Sequence, residues 1–140
     1  MTVSQTGLWY RNGTGAGAMQ TLRSALGVIL GYLVGAAAAM AVVTRLFAEE
    51  GPPGIGPVIA GVLVLALAQV LAGFLAGTVA GQRPLLHAGI VAGLFALVTV
   101  ASLLKGSAVE PVWYRTIVLV VGVGATLLGG YLATFVQLRK

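Results

Sequence analysis

Four uncharged stretches, each long enough to cross a bilayer, constrain this chain more than any other feature. Residues 24–44 and 84–104 each give 21 positions without Asp, Glu, Lys or Arg, residues 51–82 give 32, and residues 116–138 give 23. A helix rising about 1.5 Å per residue needs roughly 20 apolar residues to cross the hydrocarbon core. The stretches are continuously apolar rather than alternating, which argues against the strands of a transmembrane barrel. The expected fold is all-α, an integral membrane bundle of four transmembrane helices at about 22–46, 58–80, 85–104 and 112–137, with residues 19–140 as the domain.

Composition excludes the other broad classes. The 140 residues are 59% hydrophobic and only 8% charged, with a mean hydropathy of +1.02. A soluble domain carries roughly a quarter charged residues to coat its surface, and a disordered chain needs low hydrophobicity and high net charge. The net charge of +5 is spread along the chain, whereas nucleic-acid binding needs basic residues clustered on one face. No nucleic-acid partner is expected; the lipid bilayer is. Without any cysteine, disulfides and thiolate chemistry are excluded.

Charge also orients the bundle. With the N-terminus in the cytoplasm, Arg11, Arg23, Arg83, Arg139 and Lys140 lie inside, and Arg45, Lys105 and Arg115 lie outside. The positive-inside rule favours that side for both termini. The first apolar block runs on through Val42 and Val43, past Ala36 to Ala39, and so reads as an uncleaved anchor rather than a secretory signal. Residues 1–18 read as a flexible or interfacial tail, with Trp9, Tyr10 and Arg11 at headgroup level; Met19 would also serve as a chain start. The tail's Gly13-Thr14-Gly15-Ala16-Gly17-Ala18 matches G-x-G-x-x-A, but no strand precedes it, so it is not read as a nucleotide site.

Glycine recurs at helical spacing within every span. Helix one carries Gly27, Gly31 and Gly35; helix two Gly73, Gly77 and Gly81; helix three Gly89 and Gly93; helix four Gly122 and Gly130 with Thr126, and Gly129 beside them. Residues four apart share a face, and small residues there let helix backbones approach closely. Since lipid tails are as apolar as leucine, that close packing is what drives association. The pattern leaves open whether each stripe meets the same chain or a second subunit.

Polar candidates within the spans are sparse. Gln69 lies near the middle of helix two, on the Gly73–Gly77–Gly81 stripe, where an interhelical hydrogen bond is favoured over a substrate or ion contact. His87 follows Arg83 and Pro84 in the turn between helices two and three. There it reads as an interfacial anchor or cap rather than a phosphate ligand shared with Arg83. A single histidine excludes a multi-histidine metal site within one chain. Glu49, Glu50 and Glu110 fall in the outer connections and read as solvated, and Trp113, Tyr114 and Arg115 read as an outer aromatic anchor. No acidic or basic residue lies near an expected bilayer centre, which argues against proton-coupled antiport.

Two segments, about a seventh of the chain, resemble small bacterial four-helix inner-membrane proteins of unknown function. In the middle hairpin, the glycine-rich end of helix two (Gly73, Gly77, Gly81) leads to Arg83-Pro84 and then to His87-Ala88. The last helix opens with Pro111-Val112-Trp113-Tyr114. The resemblance implies the four-helix architecture and a place in the bacterial inner membrane, and no activity. The functional expectation is a non-catalytic membrane protein without cofactors. It would be an accessory or scaffold subunit associating with other membrane subunits or with itself. The alternative is a small homo-oligomeric transporter or channel lined by Gln69 and glycine faces. An enzyme ranks below both, since no nucleophile–base pair, metal-ligand set or embedded carboxylate pair is present.

Overall fold

The computed structural model describes residues 13–48, 53–106 and 111–139, with side chains from residue 17 onward. The sequence candidates Trp9, Tyr10, Arg11, Glu49, Glu50, Glu110 and Lys140 lie outside the described residues. The described chain is all-helical: α1 (Gly13–Leu46), α2 (Ile55–Ala80), α3 (Pro84–Lys105) and α4 (Val112–Leu138). Each contains a segment long and apolar enough to cross a membrane, in α1 Gly17–Leu46.

Two helix starts differ from expectation. α1 begins at Gly13, so residues 13–18 belong to the helix rather than to a flexible tail. Their glycines lower helix propensity by about 1 kcal/mol each, but a helix already nucleated in the apolar block gains one hydrogen bond for each residue it adds. Thr21 Oγ1 also donates to the Gly17 carbonyl at 3.0 Å. α2 begins at Ile55, which puts Pro57 at its third position. The first turn tolerates proline because its N–H groups have no acceptor within the helix.

α2 is the centre of the bundle. It packs along α1 and α4 and more lightly on α3; α3 packs along α4 and touches α1, and among the described residues α1 and α4 have no close backbone approach. The helices therefore run in the order α1–α2–α4–α3 around the bundle. The α2–α3 connection brings the start of α1 and the end of α4 to one end of the molecule, with Arg23, Arg83 and Arg139. Arg45, Lys105 and Arg115 mark the other end.

The two ends are packed differently. Toward the Arg83 end, glycines meet backbone. A Cβ added at Gly27 would lie 2.8 Å from the Ala76 carbonyl oxygen, and one at Gly31 would lie 2.7 Å from that of Ala72. A Cβ at Gly73 would overlap the Thr126 carbonyl oxygen, one at Gly129 that of Val70, and one at Gly130 the Ala88 Cβ. At Gly77 it would lie 2.8 Å from the Pro84 Cβ and 2.9 Å from the Ala133 Cβ. Toward the other end, the core is made of large side chains, Leu65, Phe95, Tyr114 and Val118, flanked by Val43, Leu46 and Phe47. Gly122 marks the change, since a Cβ there would meet the Phe95 ring at 2.5 Å. Small residues thus set the packing at one end, and large side chains fill the core at the other.

Three of the glycines on the expected packing stripes meet no other helix of the described chain. Gly81 is the left-handed C-cap of α2, with φ 72°, a conformation that costs L-residues about 1–2 kcal/mol. A Cβ at Gly89 or Gly93 would meet nothing within 4 Å, because α3 turns its neighbouring Ala88, Val91, Ala92 and Phe95 inward. Gly61, not singled out from the sequence, is a packing position. A Cβ there would come within 2.8 Å of Leu46 Cδ1 and 2.9 Å of Val42 Cγ1.

Candidate functional site

The most enclosed polar group in the bundle is built on Gln69, which is fully buried. Gly35 on α1 makes room for it: a Cβ at that position would lie 2.8 Å from Gln69 Oε1. The amide Nε2 points at the Gly35 carbonyl at 3.5 Å, and Thr126 Oγ1 on α4 donates to Gln69 Oε1 at 2.9 Å. Thr126 Oγ1 also lies 2.8 Å from the Gly122 carbonyl, so its single proton is shared between two acceptors. One side chain thus ties α1, α2 and α4 together where α1 and α4 do not touch. Such interhelical bonds in membrane proteins are worth about 0.6 kcal/mol on average. Chemically the junction can hold helices in register; both of its side chains are neutral and neither is a nucleophile–base pair.

A second tie lies nearer the Arg83 end. Gln137 Nε2 donates to the Gly77 carbonyl at 3.1 Å, joining the last turn of α4 to α2. Sequence reasoning missed Gln137 because it stands at an expected helix end, where a polar residue ordinarily faces headgroups. The signal that would have found it is its position four residues beyond Ala133, on the inward face of α4.

His87 is buried in the first turn of α3. Its Nδ1 lies 3.1 Å from the Arg83 carbonyl, and a carbonyl only accepts, so this nitrogen carries the proton in the bond. The same carbonyl accepts the backbone N–H groups of Leu86 at 3.0 Å and His87 at 3.4 Å. Arg83 itself has φ 46° and ψ 60°, the left-handed region, and stands at the N-cap of α3 with Pro84 next. The left-handed conformations of Gly81 and Arg83 together let the chain reverse within three residues, and the imidazole closes over the result. The Arg83 side chain is exposed while the His87 ring faces inward, so the two do not form one site.

At the opposite end, the expected aromatic anchor divides. Trp113 is 51% exposed, but Tyr114 is 0% and Arg115 only 4% exposed. Tyr114 belongs to the core rather than to the interface. It packs edge-on against Phe47 with ring centroids 5.2 Å apart, and it opens the inward stripe of α4 that continues through Val118, Gly122 and Thr126. Arg115 Nη1 donates to the Ser102 carbonyl on α3 at 2.9 Å, so the guanidinium clamps the last turn of α3 to the first turn of α4. Among the described residues no group of three His, Asp or Glu side chains could hold a metal ion. The chain matches no family model, no curated protein and no solved structure.

Proposed function

We propose that the chain is a non-catalytic multi-pass protein of the bacterial inner membrane, with both termini in the cytoplasm. It acts as an accessory or scaffold subunit that associates with other membrane subunits or with itself. The observation that carries this reading is the use made of the buried polar side chains. Gln69 and Thr126, Gln137, His87 and Arg115 each bond a backbone carbonyl of another element or turn, or one another. They hold helices in place, and four apolar faces are turned outward. Gly89 and Gly93 on α3 stand outside the chain's own packing, where the backbone of a neighbouring helix has room to approach. The five-to-three distribution of basic residues supports the orientation.

A transport path along Gln69 gains no support from this geometry, because α1, α2 and α4 of a single chain enclose the amide. Extraction of the native membrane in a mild detergent, followed by intact-mass and composition measurement, tests the proposal. Recovery at a fixed ratio with larger membrane proteins, or as a defined multiple of this chain, is expected. Recovery as a lone monomer contradicts it.

A further inference from the structure

The net charge of +5 belongs to one end of the bundle. All three acidic residues, Glu49, Glu50 and Glu110, fall by chain order in the connections at the Arg45 end, where Arg45, Lys105 and Arg115 match them in number. At the Arg83 end the described charges are Arg23, Arg83 and Arg139, all basic and all exposed. None of their guanidiniums makes an ion pair or hydrogen bond among the described residues.

The glycine stripe of α1 delivers Arg23 to the α2–α3 turn. Gly27 packs against Ala76 and Ala80 at the end of α2, and Arg23 stands four residues earlier on the same face. α2 stops at Ala80, so Arg23 emerges past that end. There, with Gln20, it lines a niche shared with Gly81 and Gln82. Arg83 is the next residue of the turn. It holds φ 46°, a conformation that glycine adopts freely and that strains an L-residue. An arginine in such a place points to a use for its side chain. The C-terminus of α2 and the N-terminus of α3 meet in this turn, so their end charges offset each other and the guanidinium charges stand uncancelled. The His87 ring faces inward and takes no part.

Depth selects the partner. The span of α2 closes at Ala80 and that of α3 opens at Pro84, which leaves Arg83 at the boundary of the hydrocarbon core, among headgroups. Only three residues join the two spans, so the turn stays at that depth. A guanidinium fork matches phosphate oxygens in geometry as well as in charge. A zwitterionic headgroup brings its own cation to the site, whereas an anionic one does not. We infer that Arg23 and Arg83 together hold the phosphate of an anionic phospholipid over the α2–α3 turn, drawn from the leaflet at that end. The inference holds whichever side of the membrane the termini occupy.

The test uses the full chain in nanodiscs made from equal amounts of phosphatidylglycerol and phosphatidylcholine with identical acyl chains. Native mass spectrometry counts the lipids that stay bound after release, and the adduct mass separates lipid from free phosphate. Phosphatidylglycerol is expected to be favoured about 25-fold, a factor of about five for each arginine near the surface. Arg23→Gln and Arg83→Gln should each lower that preference about fivefold. Arg83→Gly should lower it equally while the fold stays at least as stable as the native one, which separates headgroup binding from hairpin stability. Arg45→Gln removes one exposed charge at the balanced end and should leave the preference unchanged. Equal retention of the two lipids would leave the charge to a soluble acidic partner and overturns the inference. So does full preference in Arg23→Gln or Arg83→Gln, or the same loss in Arg45→Gln.

Discussion

Gly129→Ala and Gly93→Ala make the same chemical change, and the structure assigns them opposite outcomes. A Cβ at Gly129 overlaps the Val70 carbonyl oxygen and comes within 2.8 Å of the Phe74 nitrogen. Both atoms belong to helix backbone, which cannot swing aside as a side chain would. α2 and α4 must part by about 1 Å, and a gap of that size forfeits a quarter to a half of the dispersion well of each contact along the seam. Overpacking of this kind costs about 1–3 kcal/mol. Parting the helices also draws Thr126 from Gln69, now at 2.9 Å, at a cost of about 0.6 kcal/mol. Against these stands a helix-propensity gain of up to about 1 kcal/mol for alanine. The net expectation for Gly129→Ala is a loss of about 0.6–2.6 kcal/mol. At Gly93 nothing lies within 4 Å, so only the propensity gain remains and the variant should match or exceed the native chain. Unfolding by dodecyl sulfate titration from mixed micelles, followed by circular dichroism, measures both. A Gly129→Ala variant within about 0.5 kcal/mol of the native chain, or a Gly93→Ala variant that falls as far as Gly129→Ala, refutes the reasoning.

The same titration checks three further expectations. Gln69→Leu should cost about 1 kcal/mol while preserving all four helices, since it removes one tie between α1, α2 and α4; a loss of helicity would contradict its role as a local tie. Arg83→Gly should stabilise the hairpin by up to about 1 kcal/mol, because glycine adopts the left-handed conformation that Arg83 holds at φ 46° without a Cβ penalty. Clear destabilisation would show that the side chain itself matters. Tyr114→Ala should cost about 3 kcal/mol or more, and Trp113→Ala less than about 0.5 kcal/mol. The reverse order would restore the anchoring role that the sequence suggested for both.

The number of helices was legible because backbone groups in lipid have to be satisfied within the spanning segment, and that requirement writes long uncharged runs into the sequence. The inward faces were legible only where one small-residue stripe dominates. On α1, Gly27, Gly31 and Gly35 stand among larger residues, and all three are buried against α2. α3 offers two small-residue faces one residue apart, Ala88 with Ala92 and Gly89 with Gly93. Apolarity does not choose between them, because lipid and protein interior are equally apolar. What decides is volume: Ala88 fits the hollow at Gly130, and Phe95 on the same face fills the space over Gly122.

The candidate polar residues followed a similar rule. Gln69 could be recognised from the sequence as a tie, because an amide in mid-span needs a partner, and Gly35 and Thr126 are on the stripes that face it. Arg115 and Tyr114 could not be assigned their places, because a helix end supplies headgroup contacts as readily as buried ones. What places them is contact with other helices: Tyr114 packs with Leu65, Phe95 and Val118, and Arg115 bonds the Ser102 carbonyl.

The central claim is that the glycine stripes close the bundle within one chain, and an introduced disulfide tests it most directly. The chain has no cysteine, so paired thiols report without background. A Cβ at Gly27 lies 3.5 Å from the Ala80 Cβ, inside the roughly 3.5–4.5 Å that a disulfide spans, and the 2.8 Å approach to the Ala76 carbonyl means that α1 and α2 shift slightly to admit it. In Gly27→Cys/Ala80→Cys, oxidation in intact membranes should join α1 to α2 of the same chain. The product should run as a monomer on a non-reducing gel, with both thiols protected from maleimide. A covalent dimer in place of the monomeric product would contradict the account.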